Sequence, residues 1–147
     1  MNIEMTKQIE APISQVFEVF SDFPNCHQHI DGIERIEMLT AGPVGVGTTF
    51  KETRVMFGRE STEEMTVTAF QPDQHYVVEA DSCGAHFVSK FQFSKTDTGT
   101  MVTVRLHTTA LTLFAKLMSP ISRMMAGTMK KMIMADVDQL KTRCESN

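Results

Sequence analysis

The chain has 147 residues, 41% of them hydrophobic, and a formal charge of −4 at pH 7, which suits one globular domain spanning residues 1–147. An acidic balance with dispersed Lys and Arg offers no surface for neutralising phosphates, so nucleic acid is not an expected partner. No apolar run reaches the roughly 18 to 20 residues needed to cross a bilayer, and the start "MNIEMTKQIEAP" is polar where a secretion signal would be apolar, so stable membrane insertion is not expected and the expected location is the cytoplasm.

"NIEMTKQIE" alternates as a half-buried strand does, with Ile3, Met5, Lys7 and Ile9 on one face. Pro12 suits the first turn of a helix, and Ile13, Val16, Phe17 and Phe20 follow at helical spacing. That helix stops near "DFP", "NCHQHIDG" adds another turn or two, and "IERIEML" is a strand of unassigned facing. The glycines of "AGPVGVG" make a turn.

From Gly47 onward strands alternate with tight turns, and the proposed hairpins test one another because side chains alternate faces. Ser82 opposite Ala85 sets Ala80 against Phe87, Val78 against Ser89 and Tyr76 against Phe91. Lys95 opposite Thr100 sets Phe93, Phe91 and Ser89 against Val102, Val104 and Leu106. Phe70 opposite His75 sets Ala69, Val67 and Met65 against Tyr76, Val78 and Ala80. All three choices agree on one apolar face. The other face collects Glu79, Asp81, His86, Lys90, Arg105 and His107, as expected of an antiparallel sheet packed on one side only.

The segment from about Leu113 to about Arg143 is the longest helix expected, kinked or truly begun at Pro120 with Ser119 as N-cap. At about 100° per residue, Phe114, Met118, Ile121, Met125, Met129, Met132 and Leu140 share one arc. Six of the twelve methionines lie between residues 118 and 140. A sheet with one apolar face needs a cover, and this helix is the element long enough to provide it.

This order of elements resembles the helix-grip fold of the START and Bet v 1-like (SRPBCC) superfamily, an α+β arrangement (β-α-α-β6-α). In it, a curved seven-stranded antiparallel sheet wraps around a long C-terminal helix. The stretches "IEAPISQVFEVFSDF", "GPVGVGTTFKETRVMFGRESTEEMTVTAFQP", "GT" at 99–100 and "DVDQLKTRCE" are similar to its polyketide cyclase/dehydrase and lipid-transport branch. That branch often carries a tryptophan near the position of "CHQHI", and this chain has none. The resemblance implies an apolar cavity between sheet and helix for a lipid, polyketide or quinone-like molecule, and no cofactor is expected.

The residues expected to line such a cavity are Phe50, Met65 and Val67 on the third and fourth strands, and Tyr76 and Val78 on the fifth. Phe87, Ser89 and Phe91 join them from the sixth strand, Val104 from the seventh, and Met118, Ile121, Met125, Met129 and Met132 from the helix. Methionine repacks easily around ligands of different shape, and it also fills ordinary cores.

A turn at Phe57-Gly58 with Val55 opposite Glu60 pairs Phe50 with Met65, Glu52 with Glu63 and Arg54 with Ser61. Glu52, Arg54 and Glu63 then point inward on an otherwise apolar wall. Facing carboxylates raise one pKa while the arginine offsets it, a pattern that suits a polar anchor, an acid/base pair or a structural ion-pair network. Asp136 lies on the apolar stripe of the last helix, either at a rim or paired with an inward base such as Lys7.

His86 falls opposite Asp81 on the solvated face. Cys26, His27 and His29 are poorly spaced for shared ligation, and the three cysteines form an odd set without CxxC spacing, so no metal is expected. No GxSxG elbow is present. A ligand-binding role needs no chemistry. Its alternatives are a cyclase/dehydratase-like enzyme, with Glu52 or Glu63 exchanging protons and Arg54 stabilising an enolate, and a protein-interaction module with a collapsed cavity. The expected partner is a small hydrophobic ligand, with the chain a monomer or homodimer.

Overall fold

The computed structural model describes residues 2–146 except 57, 83, 119, 121–123 and 125. The expected N-cap Ser119 and the expected lining residues Ile121 and Met125 lie outside the described residues, as do Phe57 and Cys83 in the two expected turns.

Seven strands form one antiparallel sheet in the order β1-β7-β6-β5-β4-β3-β2. They are β1 (Asn2–Ile9), β2 (Ile33–Met38), β3 (Thr49–Met56), β4 (Arg59–Gln71), β5 (His75–Ser82), β6 (Ala85–Lys95) and β7 (Thr100–Ala110). Between β1 and β2 come α1 (Ile13–Phe20) and a 3-10 turn (Phe23–Gln28). Pro12 stands at the N-cap of α1 rather than inside it, and its carbonyl accepts the first helical bond from Val16 N at 3.0 Å.

The β5–β6 and β6–β7 pairings follow the alternation predicted from the sequence, from Ser82 opposite Ala85 to Lys95 opposite Thr100. The β4–β5 hairpin does not. Gln71 pairs with His75, Phe70 with Tyr76 and Ala69 with Val77, and a bulge between Val67 and Ala69 restores the Val67–Val78 pair. The extra residue turns Phe70 toward the core in place of Ala69, and its ring meets Phe17 edge-on at 5.3 Å. A second irregularity, between Ile33 and Arg35, explains why β2 shows no alternation: Ile33 is buried, with Ile36 and Met38 packed beside it at unequal spacing.

The concave face is filled at one end by aromatic rings. Phe17 and Phe20 of α1 meet Phe93 edge-on at 5.2 and 5.5 Å, Phe23 stacks on Phe50 at 5.0 Å, and Tyr76 stacks on Phe91 at 4.8 Å. The Tyr76 hydroxyl donates to Phe20 O at 3.2 Å, so this buried phenol is satisfied. Gly99 and Thr100 seal that end. A Cβ on Gly99 would stand 2.2 Å from Ile9 O, and the buried Thr100 hydroxyl donates to Ala11 O at 2.9 Å.

Among the described residues, the terminal segment carries α2 (Leu113–Leu117) and α3 (Ala126–Glu145). α3 is buried only in its C-terminal half, at Val137, Leu140 and Cys144. There Lys141 Nζ donates to Gln8 O at 2.9 Å, Glu10 N donates to Glu145 Oε2 at 2.8 Å, and Gln15 Nε2 donates to Cys144 O at 2.8 Å. Toward its N-terminus Met129, Met132 and Ile133 are half-buried. Phe114, expected on the inward stripe, is instead 73% exposed. It belongs to α2, a separate short helix started by its own Thr112 cap, so its direction is not set by α3.

Candidate functional site

Beyond the aromatic plug, strands β3 and β4 carry charge onto the concave face. Their pairing is the one predicted, with Phe50 opposite Met65, Glu52 opposite Glu63 and Arg54 opposite Ser61. Uninterrupted alternation over both strands therefore delivers two carboxylates and a guanidinium to the inner wall. Arg54 Nη2 lies 2.7 Å from Asp136 Oδ2 and 3.3 Å from Glu52 Oε1. Asp136 thus closes a Glu52–Arg54–Asp136 triad that ties the helix to the sheet. Lys7, the partner considered for it, pairs with Asp138 at 2.6 Å. Glu63 Oε1 accepts from Ser82 Oγ at 2.7 Å and Ser61 Oγ at 3.1 Å.

Burial pushes the Glu52 carboxyl above its ordinary range, and the nearby Arg54 opposes the shift without cancelling it. Burial raises Asp136 in the same way against the same arginine. Arg54, flanked by both, is held charged. The triad therefore contains a carboxyl poised to hold a proton beside a permanent cation. The sequence exposes Glu52, Arg54 and Glu63 through alternation. It leaves Asp136 without an assigned partner and misses Ser61 and Ser82, because small hydroxyls carry no distinguishing pattern.

The expected lining residues fall into two groups. Phe50, Val67, Tyr76 and Val104 are buried in the core. Met65, Val78, Phe87, Ser89 and Phe91 retain partial exposure. Sheet alternation puts these five on the concave face; Met65, Val78 and Phe91 pack against the core, Phe91 also meeting Phe20 of α1 edge-on at 6.3 Å, while Phe87 and Ser89 lie nearer the β5–β6 turn. Met118, Met129 and Met132 are also half-buried. A surface cleft of about 430 Å³ beside Pro12 and Gly99, and another of about 360 Å³ around Glu79 and His86, involve none of these residues.

The remaining polar candidates stand apart. His86 bridges Asp81 at 2.5 Å and Glu79 at 2.8 Å on the convex face. Cys26 is buried, and burial together with the charge of Glu52 pushes its thiol up to about 12, which leaves it protonated and a poor nucleophile or metal ligand.

Several solved structures share this architecture. The di-domain ARO/CYC StfQ of the steffimycin biosynthetic pathway superposes with a TM-score of 0.81 at 12% identity over 99% of this chain, which spans only 50% of StfQ. Ara h 8.0201 matches with a TM-score of 0.70 at 18% identity, covering 100% of this chain and 99% of its own. TTHA0849 from Thermus thermophilus matches with a TM-score of 0.74 at 17% identity, over 98% and 97%. Identities this low establish the helix-grip fold and no shared activity. No curated protein matches the sequence. The sequence matches the family described as polyketide cyclase / dehydrase and lipid transport over residues 1–145, and the chain belongs to that family.

Proposed function

We propose that the chain acts as one domain that binds a small hydrophobic ligand, such as a lipid, polyketide or quinone-like molecule, between the sheet and the N-terminal half of α3. The observation that carries this is the uneven burial of the concave face. Its α1 end is packed with rings, while Phe87 and Ser89 nearer the β5–β6 turn stay half-exposed and Met129 and Met132 of α3 stay half-buried. The ligand's polar end meets Glu52, Arg54 and Glu63. Arg54 already serves two carboxylates, so the ligand contributes hydrogen-bond donors rather than a carboxylate of its own.

Native mass spectrometry of chain purified without detergent tests this. A lipophilic adduct that disappears in Ser89→Trp, which fills the space with an indole, is expected. A bare mass, together with no binding of a fluorescent lipophilic dye, overturns it. A second role, proton transfer in a cyclase- or dehydratase-like reaction, is favoured by the raised carboxyl of Glu52 beside Arg54. Under that role Glu52→Gln abolishes turnover of a polyketide-type substrate, whereas a binding protein keeps its ligand with the same change.

A further inference from the structure

The segment leaving β7 carries large apolar side chains that the fold does not cover. Leu113, Phe114 and Leu117 are 75%, 73% and 71% exposed, and Leu111 is 55% exposed. They do not belong to a loose tail. Leu111 N and Thr112 N both donate to Gly84 O, at 2.8 and 3.3 Å, and Thr112 Oγ1 caps Ala115 N at 3.0 Å. The fit is close: a Cβ on Gly84 would stand 2.6 Å from Thr112 Oγ1 and 3.4 Å from the Ala115 methyl. α2 is therefore docked on the β5–β6 tip through Ala115 and holds its leucines and phenylalanine outward.

Charge identifies the occupant. The protein is acidic overall, yet no Asp or Glu occurs between Asp97 and Asp136, while Lys116, Lys130 and Lys131 do, and all three lysines are exposed. The carboxylates on the adjoining hairpin, Glu79 and Asp81, are both engaged by His86 on the convex face. A patch of Leu and Phe that carries Lys116 and no carboxylate on its own helix matches an anionic lipid surface, whose acyl region takes the apolar side chains while its headgroups take the ammonium.

We propose that α2 is a peripheral docking element for anionic membranes, set at the rim where Ala85 and Phe87 of the concave wall are half-exposed. It rests on the ligand-binding role only for its purpose, which is to bring the rim to the surface from which a lipophile is drawn or delivered. The contact is shallow and reversible, since three side chains on a short helix and Leu111 just before it do not span a bilayer.

Co-sedimentation of the full chain with vesicles tests it, using phosphatidylcholine alone and phosphatidylcholine doped with phosphatidylglycerol. Binding is expected to the doped vesicles, to weaken with added salt, and to fall about fivefold for Lys116→Gln, the share of one lysine at such a surface. Phe114→Asp combined with Leu117→Asp should abolish it without lowering the thermal midpoint, because both side chains are already in water. Unchanged binding by that double variant, equal binding to undoped vesicles, or no binding at all overturns the proposal. So does a dimer in sedimentation velocity that the double variant dissolves, since the patch would then belong to a second copy. Dye binding by the vesicle-deficient variant keeps the two roles apart: loss of docking with dye retained concerns α2 alone, and failure of dye binding in the native chain concerns the ligand site.

Discussion

Arg54 reaches across from sheet to helix, and its worth depends on the protonation of what it touches. Glu52 and Asp136 have folded pKa values above their ordinary 4.5 and 3.8, so the folded chain retains protons that the unfolded chain releases. Their contribution to stability therefore falls as pH rises from the ordinary carboxylate range through the raised values. Arg54 offsets part of that loss. Arg54→Met should accordingly be tolerated near pH 4 and cost roughly 2–4 kcal/mol near pH 8, measured by urea unfolding. A uniform cost across that interval would place the role of Arg54 in packing instead.

His86 has the same sign from a different cause. Its hydrogen bonds to Asp81 and then Glu79 raise its pKa above 6.5, so the stability it adds is complete below that value and disappears as pH climbs through the raised one. An NMR titration should give a midpoint above 6.5 in the native protein and closer to it in Asp81→Asn. The inward facing of Glu52, Arg54 and Glu63 is legible in the sequence because β3 and β4 pair without a bulge. The Arg54–Asp136 bond is not, since it joins residues 82 positions apart.

Elements differ in how openly their sequences declare them. β5, β6 and β7 could be registered from alternation alone, whereas β2 and β4 each contain an irregularity that shifts parity, and a bulge of this kind leaves no compositional mark. Pro120 signals that the terminal segment is not one continuous helix. Nothing in the apolar spacing shows that α2 follows Gly84 and Thr112 rather than the stripe of α3. The turn into β7 is more specific. Gly99 has the backbone of Ile9 and Ala11 against it, and neither can yield as a flexible side chain would. Gly99→Ala should destabilise the chain by about 3 kcal/mol or more, read as a lowered urea midpoint with an unchanged slope.

At the scale of the whole molecule, the terminal helix is fastened unevenly. Lys141, Cys144 and Glu145 bind β1, the link after it and α1, while the preceding turns hold to the sheet through Asp136. Amides of Ala126–Ala135 are therefore expected to exchange with deuterium faster than those of Val137–Cys144, a contrast that hydrogen-exchange mass spectrometry resolves on the intact chain. Equal protection along α3 would contradict a helix clamped at one end. Adding Arg54→Leu should widen the difference by removing the tie to Asp136.

Strand β1 bonds to β7, so Ile3 meets Leu106 and Met5 meets Val104. During synthesis the apolar face of this ribbon stays unmatched and prone to sticking elsewhere until about a hundred further residues have left the ribosome. Closure between such remote stretches is a slow step, so the greasy side chains of β1 spend that interval uncovered by their eventual neighbours.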